Sequence, residues 1–182
     1  MKAVMLSLRP QWCEKIFNGS KTIEVRKSRP SLDMPFRVYV YQTKIKFKVK
    51  NWQENFQSIV FTPNGGVEEG NGKVIGSFVC DRIVDIQING DDCGNYWHEW
   101  DDECDIEDMC LSYEELETYL GKSVGYGWHI SKPKLFDKPR EIEKFIRGCD
   151  DMLDPQFGSY CGYCPQPCFL KRPPQSWCYV EN

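Results

Sequence analysis

Short runs of residues with the two-residue period of a β-strand recur along this 182-residue chain, and they restrict its fold more than any other feature. A period of two puts successive side chains on opposite faces of a strand. The segments that we predict as strands are Ala3–Leu8, Thr22–Lys27, Phe36–Thr43, Lys73–Ile88, Tyr126–Phe136 and Trp177–Val180. Several strands of mixed spacing, with a few short helices between them, predict an α+β or mostly-β barrel protein.

Helix signals are fewer. Pro10 suits a helix start and Gly19 a helix end, so a first helix is expected between them. Ser112, with Glu115 three residues later, forms the capping-box pattern of a helix that ends at Gly121. The segment Asp137–Gly148, with a proline in its first turn, also predicts a short helix.

Two other segments have patterns that predict a particular local structure. Lys73–Ile88 is long enough to be one strand with a bend or bulge near Gly76. Gly90–Asp108 contains nine acidic residues and neither Lys nor Arg, a composition typical of a solvated loop.

Composition excludes some classes of protein. Hydrophobic residues make up 41% of the chain and charged residues 27%, which excludes a disordered protein. The net charge of −4 argues against a protein that coats nucleic acid through bulk charge, although a local basic groove remains open. The first apolar run is too short for a signal peptide, and no later stretch approaches the roughly 18 apolar residues of a membrane span. We therefore predict a soluble, cytoplasmic protein without a membrane partner.

The strand Thr22–Lys27 raises the main functional question. Ile23 and Val25 point to one face, and the opposite face carries Glu24 and Arg26, with Lys21 just before them. A charged outer face is ordinary when it is solvated. In a pocket, however, a lysine beside a carboxylate can shuttle a proton or act as a nucleophile, and an arginine suits a phosphate. The spacing leaves both interpretations open.

A family resemblance favours the pocket. The stretch GSKTIEVR, residues 19–26, matches the G-x-K-x-x-E-x-R signature of ASCH domains, a branch of the PUA-like superfamily. The stretches GKVIGSFVCDRI, GWHISKPKLFDKP and RPPQSWCYVEN also resemble small bacterial and phage-encoded ASCH proteins. The resemblance covers most of residues 1–139 and the last strand. It is weakest over residues 51–71 and absent from the cysteine-rich segment.

The resemblance implies a single α+β domain over residues 1–182, a PUA-like β-barrel with flanking short helices. Residues 149–170 would form a cysteine-rich insertion before the final strand. The cleft of such a domain would hold Lys21, Glu24 and Arg26 and accept RNA or a nucleotide. Arg26 would contact phosphate, while Lys21 and Glu24 would form hydrogen bonds with a base or sugar.

The resemblance also implies an enzymatic alternative. Some ASCH members are amidohydrolases that remove acyl groups from the N4 atom of cytidine nucleosides, using a lysine, a threonine three residues later and a glutamate upstream of a helix. Lys21 matches that lysine, and Glu107 is the counterpart of the glutamate, but Glu24 replaces the threonine. Binding without catalysis is therefore our preferred interpretation. The alternatives are an amidohydrolase using Lys21, Glu24 and Glu107, and a protein-interaction module that works through the acidic loop or the cysteine segment.

A ladder of lysines offers a second candidate for nucleic-acid binding. The lysines alternate with apolar residues, at positions Lys44, Lys46, Lys48 and Lys50. At about 6.6 Å spacing along a strand they could follow a phosphate backbone, and Tyr39 and Tyr41 nearby could stack on bases. Lysines also protect edge strands from aggregation, so both interpretations remain open.

The cysteine-rich segment suggests a metal. Ten cysteines are present in all, which we expect to be thiols or metal ligands in a reducing compartment. Four of them could hold a structural zinc ion with no open coordination position, namely Cys149, Cys161, Cys164 and Cys168. Free thiols are the alternative. Cys178 belongs to the last strand and is expected to pack as a small buried residue.

Overall fold

The computed structural model describes residues 2–44, 72–100, 104–148 and 168–181, together with the backbone of two short strands at 59–61 and 67–69. The described chain is mixed α+β, with mostly strands and few helices. The strands are β1 (Lys2–Leu8), β2 (Ile23–Arg26), β3 (Phe36–Gln42), β4 (Ile59–Phe61), β5 (Val67–Glu69), β6 (Val74–Cys80), β7 (Ile83–Gly90), β8 (Tyr96–Glu99), β9 (Gly125–His129), β10 (Ser131–Arg140), β11 (Ile146–Arg147) and β12 (Trp177–Glu181). The helices are α1 (Pro10–Phe17), α2 (Ile106–Met109) and α3 (Tyr113–Leu120), and a 3-10 turn spans Ile142–Lys144.

The described strands form three open sheets. The largest has six strands in the order β10-β6-β3-β1-β12-β11, the second has the order β2-β9-β7-β8, and β4 pairs with β5. None of these sheets closes on itself, so the barrel expected from the resemblance is not found among the described strands. The mixed α+β class is confirmed.

The chain divides into two compact units, the first comprising residues 1–14, 37–78 and 134–182. In this unit β1 pairs in parallel with β3 and antiparallel with β12. Strand β3 is an interior strand of the sheet, and side chains on both of its faces are buried, Val38 and Val40 on one face and Tyr39 and Tyr41 on the other. The core of this unit consists of Ala3, Met5, Tyr39, Tyr41, Val74, Ile142, Phe145, Leu170 and Val180.

The second unit comprises residues 15–36 and 79–133 and contains the four-stranded sheet. Strand β9 pairs antiparallel with both β2 and β7. Gly127 of β9 lies where a Cβ atom would come within 2.9 Å of Ile23 Cγ2, so only glycine lets these strands pack this closely. The core consists of Ile23, Val25, Val84, Ile86, Cys104, Met109, Leu116 and Leu120.

Two predicted helices are confirmed. Helix α1 begins at Pro10. At the start of α3, Ser112 Oγ accepts a hydrogen bond from the Glu115 N–H, and the Glu115 carboxylate accepts one from the Ser112 N–H. Gly121 ends the helix with a positive φ of 60°. The capping residues therefore determine both ends of α3 locally.

Other boundaries were predicted wrongly. Lys73–Ile88 forms two strands that separate at Asp81–Arg82 rather than one strand bent near Gly76, because β6 and β7 belong to different sheets. For the same reason the predicted strand over residues 126–136 is divided into β9 and β10. The helix predicted at Asp137–Gly148 is instead the end of β10, a 3-10 turn and β11. That single turn suffices to bury Ile142 and Phe145 in the core.

The acidic segment is also more ordered than predicted. Its described residues include β8 and α2 rather than a continuous solvated loop. His98 and Cys104 are buried, as is Met109 directly after the segment, so nonpolar and aromatic residues within the acidic run tie it to the second unit. In the part of the chain that the structure describes, no helix is both long enough and apolar enough to cross a membrane.

Candidate functional site: a buried charge cluster on β2

Both faces of β2 are buried. Ile23 and Val25 enter the core of the second unit, as their alternation predicts. Lys21, Glu24 and Arg26 are only 3%, 6% and 8% exposed. Glu24 is paired across the sheet with Trp128, which is itself fully buried. The interpretation of this face as a solvated surface is therefore wrong.

The three charged side chains contact one another. Glu24 uses one carboxylate oxygen for each cation: Oε1 lies 2.8 Å from Arg26 Nη2, and Oε2 lies 3.5 Å from Lys21 Nζ. Buried charges are tolerated when they are paired and hydrogen-bonded, and removing one partner leaves the others uncompensated. We refer to Lys21, Glu24 and Arg26 as the charge cluster.

Lys21 has a further partner in α2. Its ammonium group donates a hydrogen bond to the backbone carbonyl of Met109, the last residue of that helix. Burial lowers the pKa of Lys21, and this effect outweighs the Glu24 carboxylate and the Cys110 sulfur, which raise it. Lys21 thus loses its proton more readily than an ordinary lysine does.

A second link joins β2 to α2. The Thr22 hydroxyl donates a hydrogen bond of 2.6 Å to Asp108 Oδ1, and the Thr22 N–H donates one of 3.0 Å to the Asp108 backbone carbonyl. The Thr22 hydrogen bond is the main reason why the pKa of Asp108 is lowered. Neither residue was singled out from the sequence. The available signals were the position of Thr22 on the polar face of the predicted strand Thr22–Lys27 and the position of Asp108 beside Glu107.

No family model matches the chain, and no curated protein matches it. Among solved structures it is similar to an ASCH protein from Zymomonas mobilis, with 15% sequence identity and a TM-score of 0.51, over 98% of this chain and 87% of that one. Two single-substitution variants of the same protein match with TM-scores of 0.51, at 15% and 16% identity, over 100% and 98% of this chain and 91% and 88% of theirs.

The chain has an ASCH-like fold. At 15–16% identity the likeness establishes the fold alone. Within this ASCH-like fold, the signature residues Gly19 to Arg26 form the turn after α1 and the whole of β2. The signature lysine, glutamate and arginine are the members of the charge cluster.

The remaining residues of the predicted site lie elsewhere in the ASCH-like fold. Glu107 is exposed on α2, where its neighbour Asp108 bonds to β2. Tyr39 and Tyr41 belong to the first unit and are 1% and 3% exposed. The ring of Tyr39 packs edge-on against Phe145, with 5.0 Å between centroids. A catalytic role for Glu107 and base stacking by the tyrosines remain predictions.

The zinc and lysine-ladder predictions fall mostly outside the described residues. Cys149, Cys161 and Cys164 are not described, and neither are Lys46, Lys48 and Lys50. Cys168 is described and half-buried, and its carbonyl accepts the Arg147 N–H. Residues 2–44, 72–100, 104–148 and 168–181 contain no group of three or more His, Cys, Asp or Glu side chains placed to hold a metal.

The described cysteines form no disulfide with one another. Cys178 packs against the core of the first unit, and burial raises its pKa to about 11. It packs against the core as predicted, but it is only partly buried. A thiol with so high a pKa is a poor metal ligand and a poor nucleophile near neutral pH.

Proposed function

We propose that this ASCH-like protein binds RNA or a nucleotide through the charge cluster on β2. The observation that supports the proposal is that three charged side chains on β2 and just before it are buried, with Glu24 in contact with both Lys21 and Arg26. Burying charge is costly, and buried ionisable groups with shifted pKa values are enriched at functional sites.

Each member of the cluster has a distinct part in this proposal. Arg26 would bind phosphate, because a guanidinium presents planar, parallel donors that match phosphate oxygens. Glu24 holds Arg26 at 2.8 Å and so orients the guanidinium before the ligand arrives. Lys21 and Glu24 would form hydrogen bonds with a base or sugar, since together they supply a donor and an acceptor.

The proposal can be tested by calorimetric titration with the four ribonucleoside monophosphates and with a short single-stranded RNA. Arg26→Lys keeps the charge but loses the planar donor pair, and we expect it to weaken binding by about tenfold or more. Arg29→Lys is the matched control, because Arg29 lies in the same segment but is about half exposed, where it pairs with Asp85 at 3.4 Å and lies over the ring of Tyr126. Equal losses in both variants, or no binding by the wild type, would contradict the proposal.

The second candidate function is hydrolysis of N4-acylated cytidine nucleosides. It is favoured by the lowered pKa of Lys21 and by the position of Glu24, which lies closer to Arg26 than to Lys21. A lysine that is readily deprotonated can act as a nucleophile or a base. In this proposal Lys21 is the reactive group, and Glu24 or Glu107 orients water or takes up a proton.

Release of cytidine from a panel of N4-acylated cytidines tests this second function. Turnover should disappear in Lys21→Ala and persist in Lys27→Ala, which removes an exposed lysine just beyond β2. Turnover that survives in Lys21→Ala would exclude Lys21 as the reactive group. If neither turnover nor nucleotide binding is found, a protein-interaction module becomes the better proposal.

A further inference from the structure

We propose that Thr22 and Asp108 form a positioning pair for the charge cluster. This pair holds the backbone carbonyl of Met109 against the Lys21 ammonium. The proposal deepens the proposed function, because Lys21 is one of the groups assigned to the ligand. Its relevance to ligand binding rests on that function, but the effect on Lys21 itself does not, since the protonation of Lys21 can be measured without any ligand.

The geometry behind the proposal is a match between consecutive residues. Thr22 bonds to Asp108 twice, through its hydroxyl and through its backbone N–H. Lys21, which precedes Thr22, and Met109, which follows Asp108, form the next hydrogen bond. The Thr22–Asp108 link and the Lys21–Met109 link are thus adjacent, and a shift of α2 along β2 would alter both.

Helix α2 needs such an anchor. It has four residues, and a single helical turn is not stable by itself in water. The second carboxylate oxygen of Asp108 accepts the Asp105 N–H at 3.0 Å and so caps the start of the turn. Cys110 ends it in the left-handed region, with a φ of 53°. The Asp108 side chain therefore stabilises the turn and attaches it to β2.

The chemical consequence concerns the proton on Lys21. A carbonyl oxygen accepts hydrogen bonds from the ammonium form of lysine, so the Met109 carbonyl favours that form and opposes the effect of burial. If the positioning pair is broken, the carbonyl is no longer held in place. The pKa of Lys21 should then fall further below its ordinary value.

Thr22→Val is the primary test, because valine has nearly the same shape but no hydroxyl donor and leaves the charge of Asp108 unchanged. The titration of Lys21 is followed by NMR with 13C-labelled lysine, using Lys21→Arg to assign its signal. A hydrogen bond to a charged group corresponds to about one pKa unit or more, so the apparent pKa should fall by about that amount. Thr22→Ser restores the hydroxyl and should restore the wild-type titration.

The matched control is Ser112→Ala. It removes the capping hydroxyl of α3 in the same unit and leaves the contacts between α2 and β2 in place. A purely structural role for Thr22 predicts that Ser112→Ala and Thr22→Val change stability alike and leave Lys21 unchanged. Thr22→Ala is measured in parallel as a second deletion of the same hydroxyl.

An apparent pKa of Lys21 that stays within about 0.3 units of the wild type in folded Thr22→Val or Thr22→Ala would overturn the proposal. A fall of the same size in Ser112→Ala would also overturn it. If the wild type binds no nucleotide while the Lys21 titration shifts as expected, the proposed function fails and the positioning pair stands.

Discussion

The Glu24 carboxylate lies 2.8 Å from the Arg26 guanidinium, and the two side chains are 8% and 10% exposed. Residues two apart on a strand share a face, so β2 itself supplies this contact. The pair has been withdrawn from water, which makes its two members strongly dependent on each other. The same carboxylate also faces Lys21, so one acid contacts two cations.

Replacing Glu24 with glutamine should destabilise the fold strongly. Arg26 and Lys21 would then both lose the carboxylate that they contact, and removing one partner of a buried charge pair costs about 3–5 kcal/mol of the free energy of unfolding. Urea denaturation measures this loss. Asp85→Asn is the control, because Asp85 and Arg29 are each about half exposed and such pairs contribute less than about 1 kcal/mol. Similar losses in both variants would show that the charge cluster has no special energetic role.

Lys21 should make the free energy of unfolding vary with pH in the alkaline range. Its pKa is lowered below 10.5 in the folded chain, so between the two values the unfolded chain binds more protons. Stability attributable to Lys21 therefore rises with pH across that window, as the buried ammonium loses its proton. The free energy of unfolding of the wild type relative to Lys21→Met should increase as pH rises towards 10.5. A constant difference would contradict the lowered pKa.

Gly127→Ala should destabilise the four-stranded sheet. The added Cβ atom would lie 2.9 Å from Ile23 Cγ2 and 3.6 Å from Val84 Cβ, which is too close to the first of these atoms. Overpacking of a core costs about 1–3 kcal/mol, and thermal denaturation would record it as a lower melting temperature. An unchanged melting temperature would mean that β2 and β9 adjust without strain.

The four cysteines Cys149, Cys161, Cys164 and Cys168 are still proposed to hold a structural zinc ion. Protein purified without added metal should contain one equivalent of zinc by elemental analysis. Cys161→Ser and Cys164→Ser should lose it. Cys178→Ser should retain it, since Cys178 packs against the core of the first unit. Folded wild-type protein without zinc would overturn this proposal.

Local patterns in the sequence were sufficient to predict the capped helix and several of the short strands. Helix α3 is an example, because Ser112, Glu115 and Gly121 satisfy its terminal backbone groups within the helix itself. Strands β2 and β3 were likewise predictable from their period of two, and β1 and β12 from short strand-like runs. The signature over residues 19–26 also singles out Lys21, Glu24 and Arg26 by residue type and spacing alone.

The tertiary structure alone decided what surrounds those three residues. A strand pattern specifies that Glu24 and Arg26 share a face, but burial of that face depends on contacts with residues far along the chain. The partners of Lys21 and Thr22 in α2 lie 88 and 86 residues away in sequence. Their approach depends on the packing of Met109 into the core of the second unit, which no local period encodes. Because the hydrophobic effect is non-directional, the local sequence does not specify which distant residues pack together, and the bond between Thr22 and Asp108 is therefore evident only from the tertiary structure.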